Sequence, residues 1–340
     1  MYLAYIFIFL QVILISLSFQ NYKNDVYLKK IASYVLVLIL TVISGFRYNV
    51  GRDFPNYELM YLDPNNVRNL FIEPVWQYSA NALRNLGFSS VAWFLCTSFV
   101  INSCFITGIR KLSRNFYLSV AFYLAMPHLF LESFNIVRQF VAMAIIFRFS
   151  YLFFQKKYWK FVLVVFVASC FHKSAIFVIL IFFLSLVHFY NFALIILVFS
   201  CFIFRNSFLP LVMKIISNVS IYSGYIDNIE ASKSTSSLYA YLLLLLCLFI
   251  IYCFRRTKER EINILKNLSL LSFCIYLMFY TFQAGQRIGF YLLPYFILLV
   301  PYIKTKFKIN GSFITIGGIF TIFMLFTLKA GLIQMYQFRF

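Results

Sequence analysis

The sequence predicts an all-α, polytopic integral membrane protein. Of its 340 residues, 63% are hydrophobic and only 12% are charged, whereas soluble domains carry about 25% charged residues. Apolar runs recur along the whole chain, and many are long enough to cross a hydrocarbon core of about 30 Å as a helix. Basic residues collect in short segments between these runs, as in multi-pass membrane proteins. The composition therefore excludes an ordinary soluble enzyme.

Apolar runs between polar breaks predict about twelve spans in a single transmembrane domain, residues 1–340. These spans are 2–19, 31–46, 88–109, 116–131, 136–154, 158–171, 174–190, 192–209, 238–254, 268–282, 287–303 and 312–331. The short pair 158–171 and 174–190 can equally be one kinked or re-entrant element. An even number of spans places both ends of the chain on the same side of the membrane.

The positive charge predicts the orientation of these spans. The formal net charge is +20, from 30 basic and 10 acidic residues. Such an excess would indicate a nucleic-acid partner for a soluble domain, but no soluble basic domain is predicted, so this partner is excluded. Positive connections mark the cytoplasmic side. Seventeen basic residues lie on one predicted side, in connections near 23–30, 110–114, 156–160, 255–266 and 304–308.

Two long polar segments lie on the opposite, outward side, at residues 47–87 and 205–237. In the first, Glu73 and Pro74 open the stretch "EPVWQYSANALRNLG". Proline is favoured in the first turn of a helix, and a carboxylate is favoured at its positive end. We therefore predict a helix on or in the outer membrane interface. The second segment ends in the polar "EASKSTSS", which is typical of a flexible lid or gate.

Charged side chains in or beside the spans indicate a binding site. A charged side chain at the centre of a transmembrane helix raises the free energy of membrane insertion by about 2.5–3.5 kcal/mol, so the presence of each one calls for a structural or functional explanation. In the predicted topology, several arginines from distant segments lie on the outward side. Converging arginines suit a diphosphate, because a guanidinium stays charged and binds two phosphate oxygens at once. The candidates are Arg47, Arg52, Arg138 and Arg287.

The same side of the membrane carries candidate bases and sugar ligands. Asp53, Glu73 and His172 can each take a proton from a sugar hydroxyl. Each class also has a structural alternative: Asp53 can be a turn residue, His172 a hydrogen-bonded packing residue, and an arginine can reach lipid head groups. The candidate sugar ligands, of which the aromatic members also suit an interfacial belt, are Tyr48, Tyr57, Trp76, Gln139 and Tyr291.

The sequence predicts neither a metal nor another cofactor. The seven cysteines show no metal-ligand spacing, although such spacing is what marks a zinc site. No Gly-rich phosphate loop, His/Glu zinc pair, paired acidic motif or serine-nucleophile motif is present. Nucleotide and metal chemistry are therefore disfavoured.

Together, these motifs resemble the EpsG-like, Wzy-type polysaccharide polymerase family. The family pattern has "RYxxGxDxxxY" after the second span, an acidic residue opening a helix, "RQxxAxAI", "FHxSA", and an arginine before a glycine and a tyrosine. This sequence supplies "RYNVGRDFPNY", Glu73, "RQFVAMAI", "FHKSAI" and "RIGFY" in that order, between residues 47 and 291. The tyrosine-rich element expected near the end is represented only by "IQMYQFRF", residues 333–340, to which nothing is assigned.

The resemblance implies a GT-C-like architecture with an outward-facing cavity. It also implies a glycosyltransferase of the bacterial inner membrane that joins oligosaccharide repeat units at the periplasmic face. Donor and acceptor would both be carried on undecaprenyl diphosphate, the product would be O-antigen, capsule or exopolysaccharide, and a chain-length regulator is a candidate partner. The diphosphate ligands would be Arg47, Arg138 and Arg287, with Arg52 as a weaker member. The base would be Asp53 or His172, followed by Glu73.

Other functions fit part of the sequence. A flippase or secondary transporter would show internal repeats and broken or charged helices near mid-membrane, whereas the polar clusters here gather at one predicted face. A ligase that transfers once per chain needs the same arginines, base and cavity, so the sequence does not separate it from a polymerase. A purely structural subunit would not need outward arginines at span ends. Polymerase is the favoured interpretation.

Overall fold

The computed structural model describes most of the chain between residues 25 and 306, together with one short segment near residue 338. The described ranges are 25–51, 53–65, 72–126, 128–205, 207, 237–279, 283–306 and 337–338. Within them the chain is almost entirely helical, as predicted, with one pair of two-residue strands. The predicted spans 2–19 and 312–331, Arg52 and nearly all of the 205–237 segment lie outside the described residues.

The described helices and strands follow one another along the chain with short connections. They are α1 (Val26–Gly45), β1 (Arg47–Tyr48), α2 (Phe54–Leu62), α3 (Pro74–Asn85), α4 (Ser90–Leu112), α5 (Phe116–Ala125), α6 (Val137–Phe149), α7 (Tyr151–Phe154), α8 (Tyr158–Ser169), α9 (Phe177–Leu184), α10 (Asn191–Ile203), α11 (Ser237–Phe254), α12 (Arg260–Met278), α13 (Gln283–Phe290), α14 (Leu293–Lys306) and β2 (Gln337–Phe338). Two 3-10 turns, Glu132–Phe134 and Lys173–Ile176, precede α6 and α9.

The helices support a multi-pass membrane protein. Among the described residues, four segments are long and apolar enough to cross a membrane: Val26–Gly45, Ser90–Leu112, Val137–Phe154 and Arg260–Met278. Five shorter apolar helices occur at Phe116–Ala125, Tyr158–Ser169, Lys173–Leu184, Asn191–Ile203 and Ala240–Phe254. A span of the full hydrocarbon core takes about 20 residues, so the total of twelve spans and the GT-C-like architecture stay predictions.

The chain forms two compact units, the first comprising Met1–Ile179 and Val300–Phe340 and the second Leu180–Leu299. In the first unit, α4 is the central helix, because α1 and α6 both pack along it and α8 packs on α6. Polar contacts support this packing: the Asn102 amide on α4 donates to the Ser44 hydroxyl on α1 at 3.0 Å. In the second unit, α10, α11 and α12 pack together, and α13 packs on α12.

Several predicted boundaries differ from the structure. The predicted span 287–303 is divided between α13 and α14, and Pro294 lies in the first turn of α14, where proline starts a helix rather than continuing one. The predicted span 116–131 ends at Ala125, because Pro127 in the sequence disfavours a helical Met126. The predicted span 268–282 begins earlier, at Arg260. Helix α2 lies in the outward segment 47–87, in which the sequence predicts a helix only from Glu73 and Pro74 onwards.

Candidate functional site

The "RYNVGRDF" element is a tightly held turn in the first unit. Arg47 and Tyr48 form β1, which pairs antiparallel with Phe338 and Gln337 of the tail to which the sequence assigns nothing. Gly51 follows with a φ of +99°, and a Cβ at this position would lie 2.7 Å from the Phe134 carbonyl oxygen. Only glycine has access to this backbone region without a steric penalty and tolerates so close an approach. The motif therefore packs directly against the segment that leads into α6.

Arg47 is enclosed by this packing. Its guanidinium lies 4.9 Å from the centre of the Phe94 ring and 5.3 Å from that of Phe134, and it donates a hydrogen bond to the Ser44 carbonyl oxygen. The residue is only 3% exposed. The predicted role of Arg47 in diphosphate binding is not tested by this geometry, but its surroundings are those of a core residue held by cation–π contacts.

Helix α3 begins as the sequence predicts, with Glu73 at the N-cap and Pro74 at the first helical position. Glu73 is buried, and its carboxylate contacts two other motifs. Oε2 lies 2.6 Å from a guanidinium nitrogen of Arg138, while Oε1 accepts the Lys173 backbone N–H at 3.0 Å and lies 3.4 Å from Nδ1 of His172. We call Glu73, Arg138 and His172 the Glu73 cluster.

The three side chains of the Glu73 cluster differ in solvent exposure. The Glu73 side chain is 6% exposed, whereas those of Arg138 and His172 are 27% and 24% exposed. The carboxylate therefore lies at the base, and the guanidinium and the imidazole extend from it towards the surface. Part of each of these two groups is thus exposed, and the Arg138 guanidinium also interacts with the Tyr57 hydroxyl.

Electrostatics fix the charge state of the carboxylate. Burial alone would raise the pKa of Glu73, but the nearby His172 imidazole, the Arg138 charge and the Lys173 backbone N–H together lower this pKa from 4.5 to about 2. Opposite charges and hydrogen-bond donors both favour the ionised form. Glu73 is therefore an anion at neutral pH, paired to Arg138, and is poorly suited to accept a proton.

Three helix starts meet at the cluster. Glu73 is the N-cap of α3, Arg138 is the second residue of α6, and His172 is the N-cap of the 3-10 turn that leads into α9. The first N–H groups of a helix have no partner within it and carry partial positive charge. Two of these N–H groups are already engaged, since that of Lys173 donates to Glu73 and that of Arg138 faces the Tyr57 hydroxyl, so the group that favours an anionic ligand here is chiefly the Arg138 guanidinium.

Tyr57 connects helix α2 to this arrangement. Its hydroxyl oxygen lies 3.5 Å from the Arg138 backbone nitrogen, a long contact. Burial raises the pKa of Tyr57, the Arg138 charge lowers it, and Asp53 raises it. The phenol is therefore neutral at physiological pH. Asp53 itself lies one helical turn earlier, at the start of α2, and within the described residues its side chain makes no capping hydrogen bond.

Trp76 joins α3 to the segment that carries His172. Its indole N–H donates to the Phe171 carbonyl oxygen at 2.8 Å, and its ring meets Phe171 and Trp93 edge-on, with ring centres 6.1 and 5.7 Å apart. Trp76 is 2% exposed, and these contacts are all to the protein itself, so its predicted stacking on a sugar face stays a prediction. The sequence offers one signal for the observed role: Trp76 follows Glu73 by a single helical turn.

The remaining candidates are in different environments. Among the predicted sugar ligands, Tyr48 is 37% exposed, whereas Tyr57, Gln139 and Tyr291 are 8%, 2% and 1% exposed. Arg287 is half-buried on α13 and belongs, with Tyr291, to the second unit. Their ligand roles stay predictions, and Arg52 lies outside the described residues.

Comparison with known proteins agrees with the motif pattern. No curated protein and no solved structure gives a significant match. The EpsG family does match, over residues 30–340, a range that includes each of the motifs described above. The structure is helical and carries several helices suited to a membrane over the same range. The chain therefore belongs to the EpsG family.

Proposed function

We propose that this protein is a glycosyltransferase that polymerises lipid-linked oligosaccharide repeat units in the bacterial inner membrane. The donor and the acceptor are both carried on undecaprenyl diphosphate, and the Glu73 cluster faces the periplasm. The observation that carries the proposal is the meeting of Glu73, Arg138 and His172 from three separate helix starts. Membership of the EpsG family supports a polymerase of polysaccharides.

The role of Arg138 follows from the charge that develops on the leaving group. Transfer breaks the bond between the anomeric carbon and the diphosphate oxygen, so negative charge develops on the diphosphate. Arg138, which is 27% exposed at its side chain, binds that charge with the guanidinium N–H groups that Glu73 leaves available. Donors fixed before the reaction stabilise a developing anion at little reorganisation cost. Glu73 holds the guanidinium in place and keeps the empty site from carrying excess positive charge.

The acceptor hydroxyl needs a base, and His172 suits this role best. Glu73 is ionised with a pKa of about 2, so it is too weak a base, and it serves as the counter-ion of Arg138. His172 lies beside it, 24% exposed at its side chain, and can accept a proton on the nitrogen that faces away from Glu73. Asp53 is the second candidate, because its charge acts on Tyr57 next to Arg138.

Polymerisation by the purified protein tests the proposal. The protein is reconstituted in nanodiscs with a lipid diphosphate-linked repeat unit as the only substrate, without a nucleotide sugar and with a chelator, and product length is measured on a gel. We expect a ladder of lengths from the wild-type protein and none from Arg138→Ala. A single transfer per chain would indicate a ligase. No product, with the same lipid crossing the bilayer of a liposome, would indicate a flippase.

A further inference from the structure

The segment that carries His172 is held on both sides by the first turn of α3. On one side, the Phe171 carbonyl oxygen accepts the indole N–H of Trp76 at 2.8 Å. On the other, the Lys173 backbone N–H donates to the Glu73 carboxylate at 3.0 Å. Residues 171 and 173 are thus anchored to residues 76 and 73, one helical turn apart on α3.

His172 is held by its neighbours in the chain as well as by these anchors: its backbone N–H donates to the Ala168 carbonyl oxygen at 3.1 Å, and its carbonyl oxygen accepts the Ala175 N–H at 2.9 Å. Its backbone is extended, and it lies between the end of α8 and the 3-10 turn Lys173–Ile176. The 3.4 Å separation between its Nδ1 and Glu73 is too long for a strong hydrogen bond. The position of His172 therefore depends on the backbone contacts of residues 171 to 173, and the Trp76 hydrogen bond to Phe171 is one that a side-chain substitution can remove.

We infer that Trp76 is a positioning residue, which fixes the His172 imidazole relative to Glu73 and Arg138 through its hydrogen bond to Phe171. The inference rests on the proposed function in that His172 is the base whose position matters. A displacement of about 1 Å in a reacting group can lower a rate by about 100-fold. The buried indole, 2% exposed, acts on the reaction without touching the substrate.

Trp93 provides a matched control. It is 1% exposed and packs in the same aromatic cluster, with its ring edge-on to Trp76. Its indole N–H also makes one hydrogen bond, to the Ser79 hydroxyl at 3.0 Å, but that partner is on α3 and not on the His172 segment. Trp76→Phe and Trp93→Phe thus each remove one indole N–H and retain a ring, and only the first releases Phe171.

Steady-state kinetics of polymerisation test the inference in an active preparation. We expect Trp76→Phe to lower kcat about tenfold or more with little change in KM, while Trp93→Phe stays within about twofold of wild type. In a His172→Ala background, Trp76→Phe should add no further loss, because residues that act through one another are not additive. Equal losses in the two tryptophan variants, or a full further loss in the His172→Ala background, would overturn the positioning role.

Chemical labelling gives a readout that does not depend on activity. Diethyl pyrocarbonate modifies accessible imidazoles, and peptide mass spectrometry compares the rate at His172 with that at His188 in the second unit. We expect this ratio to rise at least about threefold in Trp76→Phe and to stay unchanged in Trp93→Phe. An unchanged ratio in Trp76→Phe would overturn the inference. If the wild-type protein makes no polymer, the proposed function fails while the labelling still decides the role of Trp76.

Discussion

Arg47 and Arg138 belong to two motifs with the same predicted role, but the structure places them in opposite surroundings. Arg47 is 3% exposed between two phenylalanine rings, whereas Arg138 is 27% exposed at its side chain and paired to a carboxylate at 2.6 Å. A guanidinium over aromatic faces stabilises the fold, while one held by a counter-ion near the surface can bind a ligand. The comparison teaches that two arginines with one predicted role can lie in different surroundings, so the ligand role of each needs its own test.

The largest expected effect is on activity at Arg138. Removing one donor to a developing anion costs about 10²–10³-fold in rate, so Arg138→Ala should lower polymerisation by that factor. Arg138→Lys should recover only part of the rate, because an ammonium cannot bind two oxygens as a guanidinium does. Both variants are assayed at equal amounts of folded protein. A rate for Arg138→Ala close to that of wild type would remove Arg138 from the chemistry.

Arg47 should show the opposite pattern, with its main effect on stability. Two buried cation–π contacts contribute about 0.5–2 kcal/mol each, so Arg47→Ala should lower the free energy of unfolding by about 1–4 kcal/mol. Thermal unfolding in detergent measures this loss. The control is Arg84→Ala, which removes one cation–π contact, 5.7 Å from the Tyr61 ring centre, and an exposed hydrogen bond to the Asn81 side chain, on a less buried arginine. A Tm for Arg47→Ala equal to that of the control would contradict the structural role.

The charge of Glu73 should make stability depend on pH in a defined window. Its pKa is lowered to about 2 in the folded protein, so its stabilising contribution is complete above about pH 4.5 and is lost as the pH falls towards 2. Glu73→Gln should lower stability by about 1–3 kcal/mol at neutral pH. The Tm difference from wild type should be constant from pH 5 to 8 and should narrow below about pH 4. A Tm difference between Glu73→Gln and wild type that disappears near neutral pH would mean that another group is titrating.

Gly51 offers a smaller and more local test of the packing around Arg47. Ala at Gly51 must adopt a φ of +99° and place its Cβ 2.7 Å from the Phe134 oxygen. Gly87 has a comparable φ of +79°, but a Cβ at that position would meet open space, with no surrounding atom within 4 Å. Gly87→Ala should cost about 1–2 kcal/mol for the backbone alone, and Gly51→Ala should cost more. Equal losses in Tm would show that the close approach to Phe134 relaxes freely.

The sequence predicts the parts of the structure that depend on local patterns. Helix α3 begins at Pro74 as expected, and the apolar run at 88–109 corresponds closely to α4. Glu73 and His172 stand out as candidates in the sequence because polar residues beside membrane spans are costly. Local patterns cannot show that Glu73 pairs with Arg138, since the two are 65 positions apart.

The burial of individual side chains is harder to predict. Gln139 and Tyr291 are expected from the sequence to contact a sugar, and they are 2% and 1% exposed. Their positions at the ends of apolar runs are compatible with either a cavity wall or a core, because packing against distant helices decides between the two. Helix α2 escapes prediction for a related reason: "FPNYELMYL" has no clear apolar period, and its aromatic side chains gain their stability by packing on α4.

Binding of undecaprenyl diphosphate, without any sugar, tests the central claim most directly. Native mass spectrometry of the wild-type protein, Arg138→Ala and Arg84→Ala in the same detergent would give the bound fraction at each lipid concentration. If the Glu73 cluster is the diphosphate site, Arg138→Ala should bind the lipid at least about tenfold more weakly than wild type, a difference of about 1.4 kcal/mol in binding free energy. Arg84→Ala should bind it as tightly as wild type. Equal binding by all three proteins would contradict the claim.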